Sequence, residues 1–360
     1  MLEELRARLS KVDQQILELI AQRQSLVQEI GATKQSAGIP TRDFAREKRV
    51  IDNARAHAEK LGLPLAMAED IMHRLIEVSL QRQEQDRIAR STLGTDQKAL
   101  VFGGAGKMGV WLSDFLASQG FAVEIVDLSD QPSPFVRCDD WQSRVDEFDL
   151  LAVCAPITAS ASILGEMVRL KPRGLIFDIA SIKSPLRQSL RALSDAGCRV
   201  TSIHPMFGPD TQLLSGRHVI FCDVDNPAAM AAAKALFDGT MAEQVEMGLE
   251  DHDRMVAYVL GLSHALNIAF FTALRESGEA AGHLAELSST TFDAQLAVAR
   301  AVSRDNPYMY FEIQSLNDYR QAPLHSLQDA LGRIHELIQR DDREGFARLM
   351  QLGEQYLANR

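Results

Sequence analysis

The chain has 360 residues, enough for two or three domains, and its 46% apolar and 24% charged residues exclude wholesale disorder. A net charge of −11 excludes bulk binding to nucleic acid or to an anionic membrane surface. The first ninety residues differ, with 15 Lys/Arg against 14 Asp/Glu, so an anionic small ligand finds its cations most readily there.

Residues 1–36 read as one long helix, with a stripe of apolar residues at Leu2, Leu5, Leu9, Val12, Ile16 and Leu19 that continues to Leu26 and Ile30. At about 1.5 Å per residue such a helix is about 54 Å long, more than ninety residues can wrap, so it predicts pairing with a second copy. Breaks at Gly38-Ile39-Pro40 and Gly62-Leu63-Pro64 set off further helices over about 43–60 and 66–90. Residues 1–90 thus form an all-α module, and the polar stretch 91–97 is a linker. From 98 to 244 short apolar strands alternate with helices, which predicts a parallel, doubly wound Rossmann-type sheet. Residues 245–360 read as helical throughout. The apolar run 255–274 is long enough to raise the membrane question, but Ser263, His264 and Asn267 within it favour a helix buried in a protein core.

The N-terminus lacks a basic stretch followed by an apolar one, so no signal peptide is expected. Four cysteines, at 138, 154, 198 and 222, have no metal-ligand spacing. They read as free thiols in a reducing compartment, so the expectation is a cytoplasmic protein without a metal.

Gly104-Ala-Gly106-Lys107-Met108-Gly109 follows a strand, opens a helix and precedes a second strand ending in Asp127. That context makes it a dinucleotide site. Gly104 allows the tight turn, Gly106 the approach of a pyrophosphate, and Gly109 close packing of helix on sheet. Lys107 and Met108 lie on the helix start that faces the phosphates. The Asp127 carboxylate suits a ribose 2′-hydroxyl and repels a 2′-phosphate, which favours NAD over NADP. Two later strand ends are polar: Asp178-Ile-Ala-Ser-Ile-Lys183 and His204-Pro-Met-Phe-Gly-Pro-Asp210. His204, at the carboxyl end of its strand, is placed either to accept a hydroxyl proton during hydride transfer or to cap a turn.

These motifs, together with Glu250-Asp-His252 and His264 twelve residues on, resemble the prephenate dehydrogenases over roughly residues 98–315. The first ninety residues resemble the small helical chorismate mutases. As a whole the chain resembles the bifunctional chorismate mutase/prephenate dehydrogenases of tyrosine biosynthesis. The resemblance implies three parts: a three-helix mutase module, an NAD-binding sheet domain, and an all-α C-terminal substrate and dimerisation domain. It implies rearrangement of chorismate to prephenate, then oxidative decarboxylation to 4-hydroxyphenylpyruvate. It makes His204 the base, puts Lys183 and His252 near the cofactor and substrate, where they would bind the cofactor, His264 on the substrate side, and Arg300 on a substrate carboxylate. Cys154 stands where relatives often carry serine.

In the mutase module the matching positions are Arg6, Arg23, Lys34, Asp43, Arg46, Glu47, Ser79 and Gln83. Arg6 lies about 26 Å along the helix from Arg23, so one chorismate cannot touch both on one chain. An antiparallel partner helix would supply the second arginine, which makes the expected assembly a homodimer. The resemblance places Arg6, Arg23 and Arg46 on the carboxylates, Lys34 and Gln83 on the breaking ether oxygen, and Glu47 with Asp43 at the ring hydroxyl. Tyrosine, which resembles the product, is a candidate inhibitor. Two other readings remain open: an arogenate-preferring dehydrogenase, and a non-enzymatic NAD-sensing dimer that would have no use for His204.

Overall fold

The structure is a computed structural model that describes residues 1–37, 39 and 41–359, so the expected break at 38–40 lies partly outside the described residues. Helix α1 (Leu2–Ser36) runs unbroken, and its apolar stripe, from Leu5 through Leu26, is exposed in the single chain. Helix α2 (Phe44–Leu61) begins where the Asp43 carboxylate accepts the Arg46 N–H at 2.9 Å. It ends at Gly62, whose φ of 69° is the left-handed turn that favours glycine. Helix α3 (Leu65–Ile88) packs against both α1 and α2. The 91–97 segment is an ordered turn rather than a loose tether: the Gly94 N–H bonds the Gln119 carbonyl, and a Cβ on Gly94 would meet Phe121 at 2.3 Å.

The sheet comprises β1 (Lys98–Phe102), β2 (Ala122–Val126), β3 (Val136–Arg137), β4 (Leu150–Val153), β5 (Leu175–Asp178), β6 (Val200–Pro205), β7 (His218–Asp223) and β8 (Glu243–Gly248). Its order is β3-β2-β1-β4-β5-β6-β7-β8. Helices α4 (Lys107–Ser118), α5 (Trp141–Arg144), α6 (Ile157–Leu170), α7 (Arg187–Asp195) and α8 (Pro227–Ala235) lie between the strands in sequence. Side chains alternate across each strand, so Leu100 and Phe102 enter one apolar layer while Ala99 and Val101 enter the other. Both faces are covered, which is why the central strands read as continuous apolar runs.

Three features differ from the sequence reading. Every pairing is parallel except β6 with β7, which is antiparallel. The 206–217 connection, with Gly208, Pro209 and Gly216, forms no crossover helix and returns directly. The last strand runs to Gly248, beyond the expected boundary at 244. Finally, α9 (Leu249–Val256), a π-helical segment (Ala257–Leu262) and α10 (Ser263–Glu276) form one helix, and only 22% of its most apolar window is buried. The run is therefore not a core helix of the single chain; Met255 and Val259 are more than half exposed.

The remaining helices are α11 (Ala281–Glu286), α12 (Thr290–Ser303), α13 (Pro307–Leu316), α14 (Gln321–Gln339) and α15 (Arg343–Leu357). They are tied back to the sheet by Glu312 on α13, whose carboxylate accepts the N–H groups of Ile157 and Thr158 at the start of α6.

Candidate functional site

The strand order reverses around β1, between β2 and β4, which is the point where open α/β sheets bind nucleotides. Gly103 has a φ of 73°, and a Cβ there would lie 2.8 Å from the Cys154 carbonyl oxygen. A Cβ on Gly109 would lie 2.0 Å from the Gly103 oxygen, and one on Gly104 2.4 Å from Ile125. These glycines thus permit the turn and the close packing of α4. Gly106 caps α4 in extended conformation, with only the Gly103 oxygen near its missing Cβ. The exposed first turn of α4, with Lys107 and half-buried Met108, is left open to an anion. At the end of β2 the Asp127 carboxylate is fixed between the Ala105 and Ser129 N–H groups, each at 2.8 Å. The cradle and the carboxylate fit a dinucleotide with a free ribose 2′-hydroxyl.

The three polar motifs converge beyond the sheet's carboxyl edge. His204, the penultimate residue of β6, is 4% exposed. Its Nδ1 lies 2.9 Å from His252 Nε2, and His252 Nδ1 lies 2.8 Å from Asp253 Oδ1. Asp253 also accepts the N–H groups of Lys183 and Ser184. Burial opposes ionisation of Asp253, but these bonds outweigh it and hold its carboxyl below the usual range. A carboxylate can only accept, so the tautomers follow. His252 donates from Nδ1 and accepts at Nε2; His204 donates from Nδ1. His204 Nε2 keeps its lone pair and has no partner among the described residues. Burial first, then His252 and Lys183, pushes His204 well below the ordinary histidine range, so it stands as a free base at neutral pH.

Lys183 and His252 are both wholly buried in the single chain. The Lys183 ammonium donates to Asp178 Oδ1 and to the Ile203 carbonyl, both at 2.7 Å. It clamps β5 to the residue preceding His204. His252 stands behind His204 rather than beside it in a wall. Sequence reasoning missed Asp253, although it directly follows His252.

His264, on α10, packs its ring on Tyr310 with centroids 4.1 Å apart, and its Nδ1 is buried without a partner. Burial lowers its basicity, leaving a neutral imidazole with an unused nitrogen. Arg300 is on an exposed face of α12, which packs on α10, and its guanidinium has no partner among the described residues. The four cysteines are free, and burial keeps the Cys154 thiol protonated.

In the helical module Arg23 donates to Ser79 Oγ at 2.9 Å and to the Leu75 carbonyl at 3.1 Å. Gln83 donates to the Val27 carbonyl, and Lys34 to the Thr41 carbonyl. Glu47 is held by both arms of Arg42 at 3.1 Å, a residue the sequence reading did not single out. Asp43 serves as the α2 cap, and Arg46 is exposed. Among the described residues Arg6 is bound only to Glu3, one turn away on the exposed surface. The chain thus brings together Arg23, Ser79 and Gln83 between α1 and α3, and Lys34 and Glu47 near the start of α2; Arg6 stands apart.

A nucleotide cradle beside a buried, oriented histidine defines an NAD-dependent dehydrogenase, here fused to a cationic helical module. Comparison with known proteins agrees part by part. Residues 5–84 match the chorismate mutase type II family. Residues 133–246 match the nucleotide-binding domain of prephenate dehydrogenase, and 249–352 its dimerization domain. The T-protein of Enterobacter agglomerans is 25% identical over 99% of this chain and 92% of its own. A chorismate mutase of Methanocaldococcus jannaschii is 33% identical over 23% of this chain and 85% of its own. The fold is that of the Aquifex aeolicus prephenate dehydrogenase solved with hydroxyphenyl propionate and NAD+, with a TM-score of 0.55 over 73% of this chain and 98% of that one, at 17% identity. The chain belongs to the bifunctional chorismate mutase/prephenate dehydrogenase family of tyrosine biosynthesis, and its cofactor is NAD.

Proposed function

We propose that the prephenate oxidised by this chain loses its hydroxyl proton to His204 Nε2, and that the His204–His252–Asp253 chain is the observation that carries this assignment. Gly104, Gly106, Gly109 and Asp127 would hold NAD, which when bound would supply the hydride acceptor. Proton removal lets the oxygen form a carbonyl as hydride leaves the carbinol carbon. The bond to the ring carboxylate then breaks, CO2 leaves, and its electron pair flows through the ring to that oxygen, which takes a proton back as the phenol, aromatisation making the loss downhill. His252 and Asp253 hold the imidazole in the accepting tautomer and stabilise the imidazolium that forms. His264 and Arg300 orient the substrate, His264 through its unused Nδ1 and Arg300 through a carboxylate.

In the mutase, Arg23 and the partner's Arg6 hold the two carboxylates of chorismate, with Arg46 in support. Lys34 and Gln83 face the breaking ether oxygen, and Glu47 faces the ring hydroxyl. A pericyclic rearrangement needs a compact conformer and charge complementarity, which these groups supply. The exposed apolar stripe of α1 and the exposed face of α10 both pair with a second copy, forming a homodimer. The protein works in the cytoplasm, as its free thiols suggest, and tyrosine inhibits by occupying the dehydrogenase site.

The test supplies chorismate as the only organic substrate together with NAD+. NADH appearing after a lag, with 4-hydroxyphenylpyruvate as product, is the expected result. NADH from added prephenate but none from chorismate would contradict the mutase assignment. Oxidation of arogenate alone would contradict the substrate.

A further inference from the structure

The dehydrogenase sheet rests on the mutase module through one buried carboxylate. Glu84, on α3, is 1% exposed. Its Oε2 accepts the Leu214 N–H at 2.7 Å, and its Oε1 accepts the Met241 N–H. Those two groups belong to the connections on either side of β7. The first, 206–217, begins just after His204. The second leads through β8 into α9, which carries His252. One side chain of the mutase module therefore fixes both connections on which the histidine pair depends. Gln83, about 100° round the helix, bonds α1 instead, so α3 serves the mutase with one face and the sheet with the next.

The 206–217 connection is held along its length. Gln81 on α3 donates to Gln212 at 2.7 Å, and Arg42, the partner of Glu47, donates to Ser215 Oγ at 2.6 Å. On its other side, Trp111 of α4 donates to the Thr211 carbonyl at 3.3 Å and packs edge-on against Phe207. The strap thus runs from the mutase module to the helix that opens at the dinucleotide cradle.

We propose that Glu84, a residue of the helical mutase module, is a positioning residue of the dehydrogenase, acting through the 206–217 strap and the approach to β8. The proposal rests on the assignment of His204 as the base. An uncharged residue at 84 leaves at least one buried N–H without its acceptor, and the strap moves to find another. A general base displaced by a fraction of an ångström loses rate steeply, whereas the α1–α3 face of the mutase keeps its own hydrogen bonds.

The experiment uses the full chain with Glu84→Ala and Glu84→Gln, assaying oxidation of supplied prephenate and consumption of chorismate separately. Dehydrogenase kcat/KM should fall about tenfold in Glu84→Ala and less in Glu84→Gln, which keeps one acceptor, while mutase kcat/KM stays within about twofold. In a Trp141→Phe background, Trp111 is the remaining tryptophan, and its emission should shift with Glu84→Ala. Equal losses in both activities, or unchanged oxidation in a folded Glu84→Ala protein, would overturn the proposal. Should Glu84→Ala not fold, the ratio of the two losses in Glu84→Gln decides alone. His204→Asn, run beside them, separates the two readings. Oxidation that survives it overturns the base assignment; oxidation abolished by it but indifferent to Glu84 overturns only the positioning role.

Discussion

The two catalytic regions are built in opposite ways. In the dehydrogenase the base, its orienting histidine and the carboxylate behind them are buried within one chain, and every link is a hydrogen bond between described residues. In the mutase two of the arginines are far apart along an exposed helix, with Arg23 half-buried against α3 and Arg6 paired with Glu3 on the surface. The difference follows from the chemistry. Proton transfer requires a base whose tautomer and basicity are fixed, which burial and a relay provide. A rearrangement without proton transfer requires a cage of charge, which two chains can assemble by simple pairing. On the proposed roles, the first region draws its hydrogen bonds from one chain, whereas the second draws Arg6 from a partner.

Breaking either region alone should leave the other working. The largest effect is expected from His204→Asn, which removes the base: oxidation of prephenate should fall roughly 10²–10⁴-fold while chorismate consumption is unchanged. Next is Arg23→Ala. It should cost the mutase roughly 10²-fold in kcat/KM and leave oxidation of supplied prephenate intact. Asp253→Asn acts one link further from the substrate. It replaces an obligate acceptor by a group that can also donate, so the tautomer chain is no longer fixed, and kcat should fall roughly 10- to 100-fold.

The smallest and most diagnostic effect concerns pH. His204 is held well below the ordinary histidine range, so kcat/KM for prephenate should stay flat on acidification through that range and fall only beneath it. The linked stability has the matching sign. Unfolded histidine takes up its proton first as pH falls, so the folded state is favoured above that range and loses stability on descending through it. An activity that declines with an ordinary histidine midpoint would remove the relay's claim on His204.

Much of this was legible in the sequence. Glycine–proline breaks marked the three N-terminal helices, and the dinucleotide motif announced its strand, turn and helix. The two-residue β3 carries no readable pattern, and β8, Glu243-Gln-Val-Glu-Met-Gly248, is a partly exposed edge strand whose polar residues mask it. The direction of β7 depends on what the preceding connection fails to form. The resemblance places Lys183 and His252 near the cofactor and substrate but says nothing of their partners. Only the fold shows that Asp178 neutralises one and Asp253 orients the other. Arg42 and Glu84 were invisible for the same reason: their partners lie more than a hundred residues away in sequence, at Ser215, Leu214 and Met241.

The contrast between a base completed within one chain and a charge cage completed by two is tested most directly by subunit complementation. Arg6→Ala and Arg23→Ala chains would be prepared separately, then unfolded and refolded together, with mutase and dehydrogenase activities followed before and after mixing. The account predicts two preparations with little mutase activity that regain about a quarter of the wild-type value on mixing, since half of one random dimer class restores an intact site. Dehydrogenase activity should be near wild-type throughout. A mixture no more active than its parents, or an Arg6→Ala chain with full mutase activity alone, would contradict it.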